Sequence, residues 1–238
     1  LLKACGLARA IMEGKLLHAQ IVVCGRETNG VIGSALIDMY TKFGSLDDGI
    51  KVFQGLRNRD VVCWNTIIAA HMQRERFSDA LQLFEIMHKG GVKPDRYICS
   101  CMLKVFANMR NVEQGKYVHD EIIRNRLESD EALWVSLIDM YAKCGKMQEA
   151  NHIFHHLKEK NIVAWAALIT GYALHGDILS AFKYFHEMQE KGVEPDETLM
   201  LCLLKTCSGS RQVRHIHRHI MQSKFDSHID IANALVNV

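Results

Sequence analysis

The chain has 238 residues, of which 48% are hydrophobic and 24% are charged, and its formal net charge is +2. This balance excludes a disordered chain, and so small a positive charge does not by itself indicate a nucleic-acid binder. No run of about 18 apolar residues predicts a membrane span. The eight cysteines lack zinc-type spacing and fall on apolar stripes, so we expect small buried thiols in a reducing compartment.

The sequence repeats itself at an interval of 101 residues. Three pairs show this: Met39-Tyr40 with Met140-Tyr141, Trp64 with Trp165, and Pro94-Asp95 with Pro195-Asp196. The interval divides into units of 31, 35 and 35 residues. A period of this size predicts an array of stacked repeats.

The predicted units form a single array along the whole chain. In chain order they are 1–29 (incomplete), 30–60, 61–95, 96–130, 131–161, 162–196, 197–228 (shortened) and 229–238 (incomplete).

Each complete unit is predicted to be a helical hairpin. In 61–95 a first helix carries Trp64, Ile67 and Ile68, and after the polar segment Arg74–Arg76 a second helix carries Phe77, Ala80, Leu81, Phe84 and Met87. Gly90-Gly91 and Pro94 end the second helix. In 162–196 the corresponding residues are Trp165, Leu168 and Ile169, then Leu179, Phe182, Phe185 and Met188, then Gly192 and Pro195.

One hairpin cannot bury both of its faces, so neighbouring hairpins must stack. The sequence therefore predicts an all-α fold: an α-solenoid of helix-turn-helix repeats, with the stacked hairpins winding into a right-handed superhelix.

The repeated motifs resemble pentatricopeptide repeats. They are Leu-Ile-Asp-Met-Tyr-x-Lys at 36–42 and 137–143, Trp-Asn at 64–65, and Gly-Val-x-Pro-Asp at 91–95 and 192–196. The cycle of 35, 35 and 31 residues is similar to the plant P-L-S subclass. The resemblance implies a partner, single-stranded RNA, that is bound in mitochondria or chloroplasts, often to specify cytidine-to-uridine editing alongside other processing factors. It implies no cofactor, no membrane and no small-molecule substrate.

The resemblance also implies which residues contact RNA. The fifth and last residues of each unit select a base, and the second residue packs beside it. These pairs are Ser34 with Asp60, Asn65 with Asp95, Ser100 with Asp130, Val135 with Asn161, and Ala166 with Asp196, and the flanking residues are Val62 and Val163. Leu201 and His228 are the pair of the shortened unit.

Asn65 is the strongest candidate, because an amide has both a donor and an acceptor and Asp95 would orient it. By resemblance this pair prefers U and then C. Ser34 with Asp60 resembles a G-preferring pair one nucleotide towards the 5′ end, whereas Val135 and Ala166 offer no polar edge.

Structural roles are the alternative for several of these residues. The terminal Asp and Asn residues precede helix starts, where they are natural N-caps. Trp64 and Trp165 have the spacing of core residues, and Val62 and Val163 are also compatible with ordinary surface positions.

No catalytic site is predicted. His119-Asp120-Glu121 fits half of a zinc deaminase signature, but no Pro-Cys-x-x-Cys follows it, and His119 repeats His18 at the 101-residue interval. His152, His155 and His156 are predicted on a solvated helix surface, and the trio His215, His217 and His219 cannot all face one ion.

Two alternatives stay open. One is a protein-binding scaffold of the tetratricopeptide type, although that class has a uniform period of about 34 residues. The other is the recognition part of a larger editing deaminase.

Overall fold

A computed structural model describes residues 1–25 and 30–206, and those residues form α-helices without any strand. The helices are α1 (Leu2–Ala8), α2 (Ile11–Val23), α3 (Gly30–Phe43), α4 (Leu46–Gly55), α5 (Val61–Met72), α6 (Phe77–Lys89), α7 (Arg96–Met109), α8 (Val112–Arg124), α9 (Glu131–Lys143), α10 (Met147–His156), α11 (Ile162–Leu174), α12 (Ile178–Glu190) and α13 (Glu197–Thr206). The predicted all-α class is confirmed. Within these ranges, every helix is too short or too polar to cross a bilayer.

The described residues divide into two compact units, the first within 1–105 and 121–127 and the second within 106–120 and 128–206. In the first unit, α3 packs between α1 and α5, while α4 and α6 cover α3 and α5. In the second unit, α9, α11 and α13 pack in the same way, and α10 and α12 cover them. Within each unit, the first helices of successive repeats therefore contact one another, as stacked hairpins require.

Two glycines end the second helices where the sequence predicts it. Gly91 and Gly192 both have φ of 73°, a left-handed conformation that costs glycine little. The next residue then closes the turn, because Val92 N donates to Met87 O at 3.2 Å and Val193 N donates to Met188 O at 3.1 Å. These are the bonds of a Schellman-type stop.

At two places along the chain, an aromatic contact joins one repeat to the next. Phe53 of α4 meets Trp64 of α5 edge to face at 4.8 Å, and Phe154 of α10 meets Trp165 of α11 in the same way at 4.7 Å. Both tryptophans are buried, which confirms their predicted core position.

Two expectations about burial are wrong. Leu179 is 81% exposed because it lies nine residues before Met188, which at about 100° per residue is the opposite side of α12. The buried stripe of α12 consists of Ala181, Tyr184, Phe185 and Met188. Cys24 is also exposed, just after α2 ends, whereas Cys63 and Cys99 are buried as expected.

The leucines Leu168 and Leu179 should differ sharply in their contribution to stability. Leu168→Ala removes a fully buried side chain and should lower the free energy of unfolding by about 2–5 kcal/mol. Leu179→Ala, on the exposed side of the next helix, should change it by less than about 0.5 kcal/mol. Urea denaturation followed by circular dichroism measures both, and equal losses would contradict the assigned faces.

The thiols should differ in reactivity towards iodoacetamide. Burial, helped by the carboxylates of Asp60 and Asp95 respectively, raises the pKa of Cys63 and of Cys99 from 9.0 to about 12. Because only the thiolate reacts, the folded chain at pH 8 should alkylate these two about 1,000-fold more slowly than thiols with ordinary pKa values. Exposed Cys24 should react first. Peptide mapping over time measures the rates. Unfolding the chain in concentrated urea should abolish the difference.

Candidate nucleic-acid interface

Five of the first helices, α5, α7, α9, α11 and α13, begin at a side chain that accepts a hydrogen bond from the backbone of that helix. The acceptors and donors are Asp60 with Cys63 N (2.9 Å), Asp95 with Ile98 N (3.1 Å), Asp130 with Ala132 N (3.0 Å), Asn161 with Ala164 N (3.0 Å) and Asp196 with Leu199 N (2.8 Å). The N-cap role considered for the last residue of each unit is therefore confirmed. This role does not exclude a second one, because a carboxylate has two oxygens.

Asp95 uses its two oxygens for two different purposes. Its Oδ1 accepts from the backbone N–H groups of Tyr97 and Ile98 at the start of α7. Its Oδ2 accepts from the Asn65 side-chain Nδ2 at 2.6 Å, a short charge-assisted bond. The cap thus fixes the carboxylate, and the carboxylate in turn fixes the amide of Asn65 on the neighbouring helix. The orienting contact expected from the sequence is present.

The amide oxygen of Asn65 is buried and has no hydrogen-bond partner. A buried acceptor left unsatisfied costs about 1–3 kcal/mol. A ligand that turns the amide and brings a donor to this oxygen would recover that free energy, whereas a ligand at an already hydrated group would only replace water. Asn65 therefore combines an anchored nitrogen with an oxygen that lacks a partner.

A groove of about 400 Å³ runs past Asn65 across the first helices of the first unit. Its lining residues are Asp38, Thr41, Lys42, Asn65, Thr66, Ile68, Ala69, Ala70, Gln73, Tyr97, Ile98 and Cys101. Lys42 is paired with Asp38 at 2.7 Å, and both side chains are about one-third exposed. The groove thus offers two amides, hydroxyls, an ion pair and one aromatic ring.

The second residue of several units is exposed although it is apolar. The exposed fractions are 51% for Val62 and 58% for Val163, the two expected positions, and 74% for Val31 and 59% for Tyr97. Val31 and Tyr97 are the second residues of units 30–60 and 96–130. They were not predicted from the sequence, although counting within each unit finds them. Tyr97 is held by Arg96, whose guanidinium lies 4.8 Å from the ring centroid and donates to the phenol oxygen at 3.0 Å.

The other fifth positions differ from Asn65. The Ser34 hydroxyl donates to the Val31 carbonyl at 3.0 Å within its own helix, so its single proton is not directed at Asp60. Val135 and Ala166 are half-buried and have no polar side-chain atom, and Ser100 is half-buried on α7. Leu201 is half-buried on α13, whereas His228 and the three histidines at 215–219 lie outside the described residues.

Structural contacts account for His119 and Glu121. A hydrogen bond of 3.0 Å joins His119 Nδ1 to the Tyr141 hydroxyl, and one of 2.8 Å joins the equivalent pair His18 and Tyr40. Burial lowers the pKa of His119. Glu121 is buried and accepts from Arg124 at 2.6 Å. Across residues 1–25 and 30–206, no three potential ligands are grouped to hold a metal ion.

The fold and the capped first helices define a helical-repeat protein. The PPR repeat family model matches residues 59–108 and 160–208, and the PPR repeat model matches 34–61 and 132–162. The chain therefore belongs to the pentatricopeptide repeat family.

Relatives from Arabidopsis thaliana cover the whole chain. It is 38% identical over 241 residues to the pentatricopeptide repeat-containing protein At4g18520, chloroplastic, and 30% identical over 240 residues to At5g27110. It is 36% identical over 162 residues, 68% of its length, to At3g24000, mitochondrial. The chain spans 39%, 35% and 26% of these three relatives.

Among solved structures, the chain is similar to the pentatricopeptide repeat protein PPR10 in complex with an 18-nt psaJ RNA element. The TM-score is 0.81 at 21% identity, covering 100% of this chain and 36% of PPR10. This similarity confirms the predicted repeat solenoid.

The Asn65–Asp95 contact should be measurable as a coupling energy. Asp95→Ala removes both a helix cap and this bond, whereas Asp196→Ala, opposite Ala166, removes a cap without such a bond. We expect Asp196→Ala to cost about 1 kcal/mol of unfolding free energy and Asp95→Ala to cost about 1–2 kcal/mol more. A double-mutant cycle of Asn65→Ala and Asp95→Ala by urea denaturation isolates the pair. A coupling energy near zero would contradict the bond.

Proposed function

We propose that this chain reads single-stranded RNA in a plant organelle, as part of a factor of the P-L-S subclass that specifies an RNA-processing site. The observation that carries the proposal is the short bond from Asn65 to Asp95, inside a groove formed by consecutive first helices. The family of the chain and its resemblance to known RNA readers support the same function.

The chemistry of Asn65 suits a pyrimidine. The Watson–Crick edge of uracil carries an N3–H donor between two carbonyl acceptors, and single-stranded RNA is read on such edges. With one Nδ2 hydrogen held by Asp95, the other can donate to a carbonyl, and the unpartnered Oδ1 can accept from N3–H once the amide turns. This arrangement supports the expected preference for U, and then C, at this unit.

The flanking residues suit a stacked base. Val62 and Tyr97 are both exposed at the second positions of adjacent units, and bases stack readily on aromatic and apolar side chains. We place the base read by Asn65 between them. Ser34 with Asp60 then reads the preceding nucleotide, and Ser100 with Asp130 the following one. The pairs Val135 with Asn161 and Ala166 with Asp196 contribute packing beside Val163 more than base selection.

The charge of the chain fits a binder that relies on base contacts. A net charge of +2 leaves little non-specific attraction to phosphates, and Lys42 in the groove is already paired with Asp38. We therefore expect the affinity for RNA to fall with salt, but with a modest slope.

The proposed organelle is supported by the names of the relatives, and the processing role by the family resemblance. Two of them are named chloroplastic and mitochondrial, which supports an organellar site of action. Specification of cytidine-to-uridine editing is the role that we favour by resemblance, with other processing factors or a deaminase domain supplying the chemistry.

The test is selection from a randomised single-stranded RNA pool, with sequencing of the bound fraction. The wild-type chain should enrich a short motif in which G is followed by U or C. Asn65→Ser makes this pair resemble the Ser-with-Asp class, so the U or C should change to G at that one position. Folding of each variant is checked by circular dichroism.

Ala166→Asn is the matched gain-of-function control. It places an amide opposite Asp196, as Asn65 stands opposite Asp95, and should add a U preference three units, and so three nucleotides, towards the 3′ end. A folded chain that retains no RNA at low salt would contradict RNA reading. An enriched motif that is unchanged by both substitutions would contradict the assigned residues but not RNA binding.

A further inference from the structure

The chain contains the same aromatic frame twice, 101 residues apart. In the earlier copy Phe53 meets Trp64 at 4.8 Å, and the Arg59 guanidinium lies 4.9 Å from the Phe53 centroid. In the later copy Phe154 meets Trp165 at 4.7 Å, and Lys160 Nζ lies 5.4 Å from the Phe154 centroid. The two frames can therefore be compared residue by residue.

A tyrosine fills the later frame. The Tyr184 ring lies 6.0 Å from Phe154 and 6.4 Å from Trp165, and it stacks on Tyr172 at 5.4 Å with the planes 15° apart. Its hydroxyl donates to Asn151 Oδ1 at 2.6 Å. The side chain is buried, so this frame accommodates a phenol ring with its hydroxyl satisfied.

The earlier frame lacks this ring. Leu83 stands where the later copy has Tyr184, and His71 stands where it has Tyr172. A pocket of about 400 Å³ lies here, and its lining includes Phe53, Trp64, His71 and Leu83. This volume is within the usual range for ligand pockets and exceeds the space that one aromatic side chain needs.

The polar side chains that line the pocket indicate which groups a bound aromatic ring would carry beside it. Arg59 and Arg76 contribute two positive charges and Asp79 one negative charge. Gln54 and Gln82 also line the pocket, and an amide can accept from a phenol hydroxyl as Asn151 does in the later copy. The net positive charge favours acidic groups beside the ring.

The pocket and the groove use different faces of α5. Asn65, Thr66 and Gln73 line the groove, whereas Trp64, Ile67 and His71 line the pocket. A molecule in the pocket therefore does not compete directly with a strand of RNA in the groove.

We propose that this pocket binds the tyrosine side chain of a partner polypeptide in which acidic residues flank the tyrosine. The chain itself supplies the precedent for the occupant, because Tyr184 fills the equivalent space in the later copy. The partner's ring completes the frame around Trp64, and its acidic neighbours face Arg59 and Arg76.

The test is a titration of the 238-residue chain with the capped peptide acetyl-Glu-Tyr-Glu-amide, followed by the indole N–H signals in nitrogen-15 NMR. The Trp64 signal, assigned with Trp64→Phe, should shift and saturate at millimolar peptide. Leu83→Tyr installs the residue of the later copy and should abolish the shift. Tyr184→Leu empties the later frame, and the Trp165 signal should then respond to the same peptide.

Control ligands test separately the need for the aromatic ring, for the acidic residues and for a polypeptide. Acetyl-Glu-Ala-Glu-amide should leave Trp64 unchanged, and p-cresol alone should bind more weakly than the tyrosine peptide. Arg76→Glu should weaken the acidic peptide but not acetyl-Gly-Tyr-Gly-amide. No Trp64 shift in the folded wild type, an equal shift in folded Leu83→Tyr, or an equal shift with the alanine peptide would each overturn the proposal. Equal binding of p-cresol would overturn the assignment of a polypeptide partner.

Discussion

A helical hairpin has an apolar face that only another hairpin can cover, and the rest of this structure depends on that constraint. The edge-to-face contacts of Phe53 with Trp64 and of Phe154 with Trp165 show how the chain meets it. Each contact joins the second helix of one repeat to the first helix of the next. The first helices are thereby placed side by side, and their polar faces can form a groove.

The side chain of Asp95 connects the start of one first helix to a side chain on another. The same carboxylate starts α7 and holds the amide of Asn65 on α5. The position of the Asn65 amide is therefore set by a helix start in the following repeat. Such an arrangement holds the nitrogen of the amide in place before any ligand arrives, so that less conformational entropy is lost on binding.

Much of this fold could be predicted from the sequence because the signals are local and repeated. The 101-residue interval, the apolar spacing around Trp64 and Trp165, and the glycine stops at Gly91 and Gly192 each act within one hairpin. Leu179 was misplaced because a spacing argument cannot tell which of two apolar stripes on α12 is covered. The Asn65–Asp95 bond was expected, whereas the missing partner of Asn65 Oδ1 and the pocket at Leu83 depend on packing between helices, which spacing does not encode.

The capping role of the last residue of each unit has a consequence for which substitutions the fold tolerates. In this chain the last residue of the complete units is Asp four times and Asn once, and all five cap a helix. The fifth residue is Ser, Asn, Ser, Val and Ala in the same units, and no helix start depends on it. Substitution at the fifth position therefore leaves every one of these helix starts intact, whereas substitution of the last residue removes a cap.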